Sequence, residues 1–193
     1  LSRIYGVPIT CLAERFEVDL HLERPAPFRE VADATQAREE AARMILAGRY
    51  AEALSLFSSA LDNTPQEDGA DRSSLAQLRL GRIDCLVHLG RFETAKAETE
   101  ELLGDTGLAV EERVIALQFF VICAFRLGRP TVAIMGLEHA RRQLDQNDLP
   151  PRMRADLEAI AANVMIALGQ PEEAVRRCGS ALELYEAIPI PFE

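Results

Sequence analysis

The chain has 193 residues, 21 Lys and Arg against 31 Asp and Glu, and a formal charge of −10. That surplus of carboxylates argues against a polypeptide that grips a nucleic-acid backbone by itself, since phosphate binding needs an excess of Lys and Arg. Hydrophobic residues make up 48% and charged residues 27%, which excludes a disordered chain and suits one compact domain or array. No run approaches the roughly 20 apolar residues of a membrane span, and no secretory leader opens the chain, so a cytoplasmic protein without membrane contact is expected. Cys11, Cys85, Cys123 and Cys178 lie far apart, with no C-x-x-C pair and no His at ligand spacing, so neither zinc nor a disulfide framework is expected. The last three sit in apolar or Ala-rich surroundings and read as small buried hydrophobes of a reducing compartment.

The sequence opens on Leu1 rather than Met with an apolar pattern already under way, so residues upstream are expected. Leu1 to Phe16 reads as the end of a helix, a Gly6-Val7-Pro8 break and a new helix from near Ile9. Residues 23–33, with Pro25 and Pro27, read as a linker, the preceding helix running to Leu22.

From Ala34 onward one phrase recurs four times. Leu46-Ala47-Gly48-Arg49-Tyr50-Ala51-Glu52-Ala53 is followed by Leu89-Gly90-Arg91-Phe92-Glu93-Thr94-Ala95. Then come Leu127-Gly128-Arg129-Pro130-Thr131-Val132-Ala133 and Leu168-Gly169-Gln170-Pro171-Glu172-Glu173-Ala174. Each Gly ends a helix by taking the left-handed conformation, a second helix starts within two or three residues, and an Ala five residues on marks a close helix–helix approach. Glycine spacings of 42, 38 and 41 give one helical hairpin per period. Apolar periodicity predicts first helices over Ala34–Leu46, Leu75–Leu89, Val114–Leu127 and Leu157–Leu168. It predicts second helices over Ala51–Leu61, Glu93–Leu103, Thr131–Leu144 and Glu172–Tyr185. Alternation of period two is absent, so no sheet is expected. Breaker-rich connectors fall at Asn63–Gly69, Gly104–Gly107 and Asn147–Pro151. Residues 188–193, Ile-Pro-Ile-Pro-Phe-Glu, form a short tail.

Gly48, Tyr50, Ala53, Phe57, Ala60 and Pro65 stand at the mutual spacings of a tetratricopeptide repeat, and Gly128, Ala133 and Ala140, then Gly169, Ala174 and Ala181, repeat part of that pattern. Residues 34–187 therefore resemble the tetratricopeptide family. Thr99 and Leu102 depart from it in the second repeat, and the periods exceed the usual ~34 residues. The resemblance implies an all-α fold, a right-handed superhelix of four antiparallel hairpins whose first helices line a concave face. Residues 1–22 are similar to the closing helices of an XRE-type helix-turn-helix domain, and read equally as a capping helix on the first repeat. An XRE-type domain followed by such repeats is the architecture of peptide-sensing regulators of the RNPP group. The implied role is the sensor and dimerisation region of a transcriptional regulator, touching DNA only through residues upstream of Leu1. A free-standing adaptor for protein partners is the alternative.

Projected onto that concave face are Arg38, Ala42 and Ile45, then Gln77, Leu80, Asp84 and His88, then Gln118, Ile122, Phe125 and Arg126, then Asn163 and Ile166. Amide side chains there would hydrogen-bond a peptide backbone whatever its sequence, and Arg126 would pair with a carboxylate. The competing reading makes Ile122, Phe125 and Ile166 inter-repeat core and Gln77, Gln118 and Asn163 solvated surface. His21, His88 and His139 are isolated, and no H-E-x-x-H, G-x-S-x-G or phosphate-loop pattern occurs, so neither catalysis nor a cofactor is expected. Glu111-Glu112 and Glu172-Glu173 fall at helix starts, where they complement the helix dipole.

Overall fold

The computed structural model describes residues 34–64 and 72–188. They form eight helices: α1 (Ala34–Leu46), α2 (Tyr50–Asn63), α3 (Arg72–His88), α4 (Phe92–Leu103), α5 (Val110–Arg126), α6 (Pro130–Gln146), α7 (Pro151–Ala167) and α8 (Pro171–Glu186). No strand occurs among the described residues. The fold is an all-α, tetratricopeptide-like array of hairpins α1–α2, α3–α4, α5–α6 and α7–α8. The expected entry segment, the whole linker 23–33 and residues 189–193 of the tail lie outside the described residues.

One device closes every hairpin. Gly48, Gly90, Gly128 and Gly169 have φ of 75°, 72°, 70° and 70°. Each glycine N–H bonds back to the carbonyl three residues earlier, and the following residue's N–H reaches the carbonyl five residues earlier: Arg49 to Met44, Arg91 to Leu86, Arg129 to Ala124 and Gln170 to Met165, at 2.8–3.0 Å. This is the Schellman motif, which satisfies carbonyls that a helix end leaves unpaired. Ala53, Ala95, Ala133 and Ala174 then donate to the carbonyls of Arg49, Arg91, Arg129 and Gln170, the first bond of each second helix. Those four alanines are 0–3% exposed, as expected where a second helix lies close against its neighbours.

First helices pack on one another in succession, α1 on α3, α3 on α5 and α5 on α7, and each second helix packs on the next first helix. The first helices therefore form the inner layer. Three buried clusters run along the array: Ala37, Met44, Leu56 and Phe57 around hairpin one, Ile83, Leu86, Leu102 and Cys123 in the middle, and Val114, Val121, Leu137, Leu157 and Val164 at the end. Two helix-interior glycines serve this packing. A Cβ on Gly136 would stand 2.8 Å from Val121 Cγ2, and one on Gly81 would enter the Phe57 ring.

Helices α3, α5 and α7 begin three, four and six residues earlier than the periodicity predicts. Their first turns, such as Arg72-Ser73-Ser74 and Pro151-Arg152, are polar and give no apolar signal. Pro151, assigned to a connector, instead occupies the first helical turn, where its missing N–H costs nothing. Tertiary bonds hold these turns. Arg113 donates to the carbonyls of Leu103 (3.1 Å) and Asp105 (2.8 Å), and Arg154 to that of Leu144 (3.2 Å) and the Asp145 carboxylate (2.7 Å). Both arginines stand fifteen residues before their glycine and close off the preceding helix. Glu112 does more than complement a dipole: it is 6% exposed and accepts from Ser73 Oγ at 2.6 Å, joining hairpin three to hairpin two.

Cys85 and Cys123 are fully buried, and burial pushes their thiols up to about 12 and about 11. Cys178 corrects the sequence reading. It is exposed, because among the described residues no hairpin stacks on α8. Cys11 lies outside the described residues.

Candidate functional site

With the glycines in register, the residue three before each one is apolar in every hairpin: Ile45, Val87, Phe125 and Ile166. The first three are half-buried and Ile166 is 61% exposed, so one apolar side chain per first helix remains partly open to solvent on the inner layer. Neighbouring packed helices lie about 8–10 Å apart, so four rungs, three steps apart, make a ladder of roughly 24–30 Å. Val87 was not among the projected residues. Its signal is the register itself, since Ile45, Phe125 and Ile166 stand at the same distance from their glycines.

Six residues before each glycine stand Ala42, Asp84, Ile122 and Asn163, also on the first helices and none of them buried. Burial raises the Asp84 carboxyl above its ordinary value, while the nearby His88 pulls it back. Asn163 is exposed and donates to the Ala159 carbonyl at 3.2 Å. Near one end of the ladder, Arg38, Ala42, Ile45, Phe57 and Gln77 line a groove of about 370 Å³ together with Glu39. Of the projected residues only Leu80 and Gln118 are buried; the others, Arg38, Gln77, Asp84, Asn163 and Ile166 among them, keep accessible surface.

Other projected residues are engaged within the protein. Gln118 is 9% exposed and donates its amide to the Met153 carbonyl at 3.0 Å, tying α5 to α7, rather than standing solvated. Leu80 is buried at 7%, in the middle cluster. His88 stacks on Tyr50 with ring centroids 4.4 Å apart and planes at 10°, and its Nδ1 lies 3.1 Å from Asp84 Oδ1. The Arg126 guanidinium lies 4.9 Å above the Phe92 ring. Phe125 packs against the end cluster while keeping part of its surface open, and Ile122 is half-buried.

A second polar centre lies between α6, α7 and α8. Glu158, 9% exposed, accepts from Arg141 at 3.0 Å and Arg177 at 2.8 Å, and Arg177 also reaches Glu173 at 2.6 Å. Every charge named there has an opposite partner, so the cluster holds hairpins together and offers no free charge to a ligand. Among the described residues no three His, Cys, Asp or Glu side chains converge as a metal site, and no helix is long and apolar enough to cross a membrane.

No family model matches the sequence, and no curated protein does. Among solved structures, a chain titled MamA MSR-1 C2 aligns over 79% of this chain and 97% of its own, at 18% identity and a TM-score of 0.31. That superposition is too loose to bear on function. The four hairpin closures and the order of helix packing define the fold.

Proposed function

We propose that this chain is a binding module that holds a peptide or an extended protein segment along its first helices. The observation that carries this reading is the ladder Ile45, Val87, Phe125 and Ile166, one partly open apolar side chain per hairpin at constant register. Ile45, Val87 and Phe125 pack in part against the buried clusters, and the surface they leave open, with that of Ile166, offers a line of apolar contacts that a segment of about eight extended residues would span. Arg38, Gln77, Asp84 and Asn163 beside it would supply hydrogen bonds and both signs of charge.

Selection from a phage-displayed random peptide library tests the module. Enriched peptides should lose at least about tenfold in affinity against Ile166→Asp and Val87→Asp, which is about 1.4 kcal/mol. Peptides that bind those variants as well as wild type would remove the ladder from the site.

The finer reading couples this module to an upstream DNA-binding domain, as sensor region of a transcriptional regulator. It is favoured by the resemblance of Leu1–Phe16 to the end of an XRE-type domain. An open reading frame upstream of Leu1 without a helix-turn-helix pattern would defeat it and leave the adaptor reading.

A further inference from the structure

Where the third hairpin meets the second, two side chains fill the outer layer above α5. Phe120, eight residues before its glycine, lies against Gly136 of α6, where a Cβ would come within 3.0 Å of its ring. Lys96 of α4 lies over that ring with Nζ 5.5 Å from the centroid, and its ammonium donates to the Glu100 carboxylate at 2.6 Å. Only 14% of the Lys96 side chain is exposed. Its stem is therefore laid down between helices, and its charge is met by a carboxylate four residues on.

One junction later the same register positions are occupied differently. Ala161 stands where Phe120 does, eight residues before Gly169, and Ile134 stands where Lys96 does, directly after the buried alanine of its helix. The acid is retained: Glu138 follows Ile134 by four residues, as Glu100 follows Lys96. Thus α6 keeps the carboxylate without its lysine, and α7 has a methyl group where α5 has a ring. A groove of about 610 Å³ lies there, floored by Leu137, Ala161 and Met165, with Ile134 and Glu138 on the α6 wall and Glu172 on the α8 wall.

The charges lining this groove are not all alike. Arg141, Arg176 and Arg177 also reach it, but each is already ion-paired, Arg141 with Glu158, Arg176 with Glu173, and Arg177 with both carboxylates. Glu138 and Glu172 are exposed and have no such partner among the described residues. Glu172 is favoured by the dipole of α8 at whose start it stands, so Glu138, in mid-helix, is the group whose charge is least met. The unmet charge is negative and borders an apolar floor, which suits a cation on an aliphatic stem.

We infer that a partner polypeptide lays a lysine side chain in this groove, its stem on Ile134 and Met165 and its ammonium on Glu138, with Glu172 adding to the attraction. Lys96 does the same from within the chain one junction earlier. A basic segment is also drawn in by the net charge of −10. The groove lies on the outer layer between two second helices, apart from the ladder on the first helices, and the inference does not depend on the peptide reading.

Titration of the 193-residue chain with a capped alanine pentapeptide carrying one central lysine tests it, read from the methyl resonances of Ile134 and Met165. Both should shift saturably. The same peptide with norleucine, which keeps the stem and loses the charge, should bind at least about fivefold more weakly, and so should the lysine peptide to a protein carrying both Glu138→Gln and Glu172→Gln. Glu93→Gln with Glu186→Gln removes as much charge elsewhere and should leave binding unchanged. Ile134→Lys gives α6 the pair that α4 has, so it should keep wild-type helicity and abolish the Met165 shift; the glutamine variants decide the matter if it does not fold. Four results would overturn the inference. One is the absence of a saturable shift at Met165 in the wild type, or its presence in a folded Ile134→Lys protein. A second is equal affinity for the norleucine peptide. A third is a Glu138→Gln, Glu172→Gln protein that loses no more than the Glu93, Glu186 control. The last is a set of shifts confined to Ile45, Val87 and Ile166, which would place the peptide on the inner layer.

Discussion

Arg126 lies over the Phe92 ring at 4.9 Å, and one hairpin earlier His88 lies over Tyr50 at 4.4 Å in the corresponding place. In both, the residue two before a hairpin's glycine rests on the residue two after the previous hairpin's glycine. Successive hairpins are thus clasped at their turns by a flat or cationic group on an aromatic ring. The third such pair in sequence would be Pro130 and Ala167, so the device is confined to the first two junctions.

The clasp predicts a coupling. Arg126→Ala should lower stability by about 0.5–1 kcal/mol, the size of an exposed cation–π contact, and should have little further effect in a Phe92→Leu background. A double-mutant cycle by urea denaturation reads it. Additive losses would show that the two groups touch without interacting.

The hairpin glycines should be sensitive for conformational reasons alone. Nothing stands within 4 Å of a Cβ at Gly128 or Gly169, so their substitution strains only φ. Gly128→Ala should cost about 1–2 kcal/mol and Gly128→Asn less, because Asn tolerates the left-handed region. Gly136→Ala fails differently, by pressing on Val121 and Phe120, and is expected to cost about 1–3 kcal/mol. Replacing Ala53 or Ala174 with Leu should overpack the array by a similar amount. Unchanged thermal midpoints in the alanine variants would contradict the close approach described at those sites.

Asp84 makes stability depend on pH in a defined direction. Its carboxyl is raised mainly by burial, so its folded value lies above its unfolded one. The native state then binds the proton more tightly. The contribution of Asp84 is largest below the ordinary carboxylate range of about 4 and is lost as pH rises through the folded value. Relative to Asp84→Asn, the wild-type protein should therefore lose stability from about pH 4 upward. Parallel stability–pH curves for the two proteins would contradict this.

Thiol chemistry separates the cysteines. In a Cys11→Ser background at about pH 8, one equivalent of a thiol reagent should react fast, at Cys178, while Cys85 and Cys123 wait for unfolding. Rapid labelling of a second thiol in the native protein would show that one of the buried pair is reached.

How much of this was legible in the sequence depended on how local each feature is. The Gly-to-Ala phrase is written within a few residues, because both the Schellman closure and the alanine contact are decided there. Bounds for α1 agree at both ends, whereas the starts of α3, α5 and α7 were missed. Their opening turns are held by Glu112, Arg113 and Arg154, which bond to residues of the preceding hairpin or the connector. Such bonds leave no periodicity to read. The projected site divided the same way. Register projects Arg38, Gln77, Asp84 and Asn163 onto the first helices, but what a polar group bonds to depends on its own turn and on what the next hairpin brings. Met153 offers its carbonyl to Gln118, and Phe92 its face to Arg126; neither is visible from the helix that carries the polar residue.

The repeated hairpin closure also determines how the array comes apart. Each Schellman turn is complete within six residues, and each hairpin touches only its neighbours in line, so the described structure is a short one-dimensional chain of nearly independent links. Such a chain has low contact order, folds fast and frays from its ends. Hydrogen exchange should therefore run as a gradient. The backbone amides of α8, held from one side only, should open first, and those around Val121 and Cys123 last.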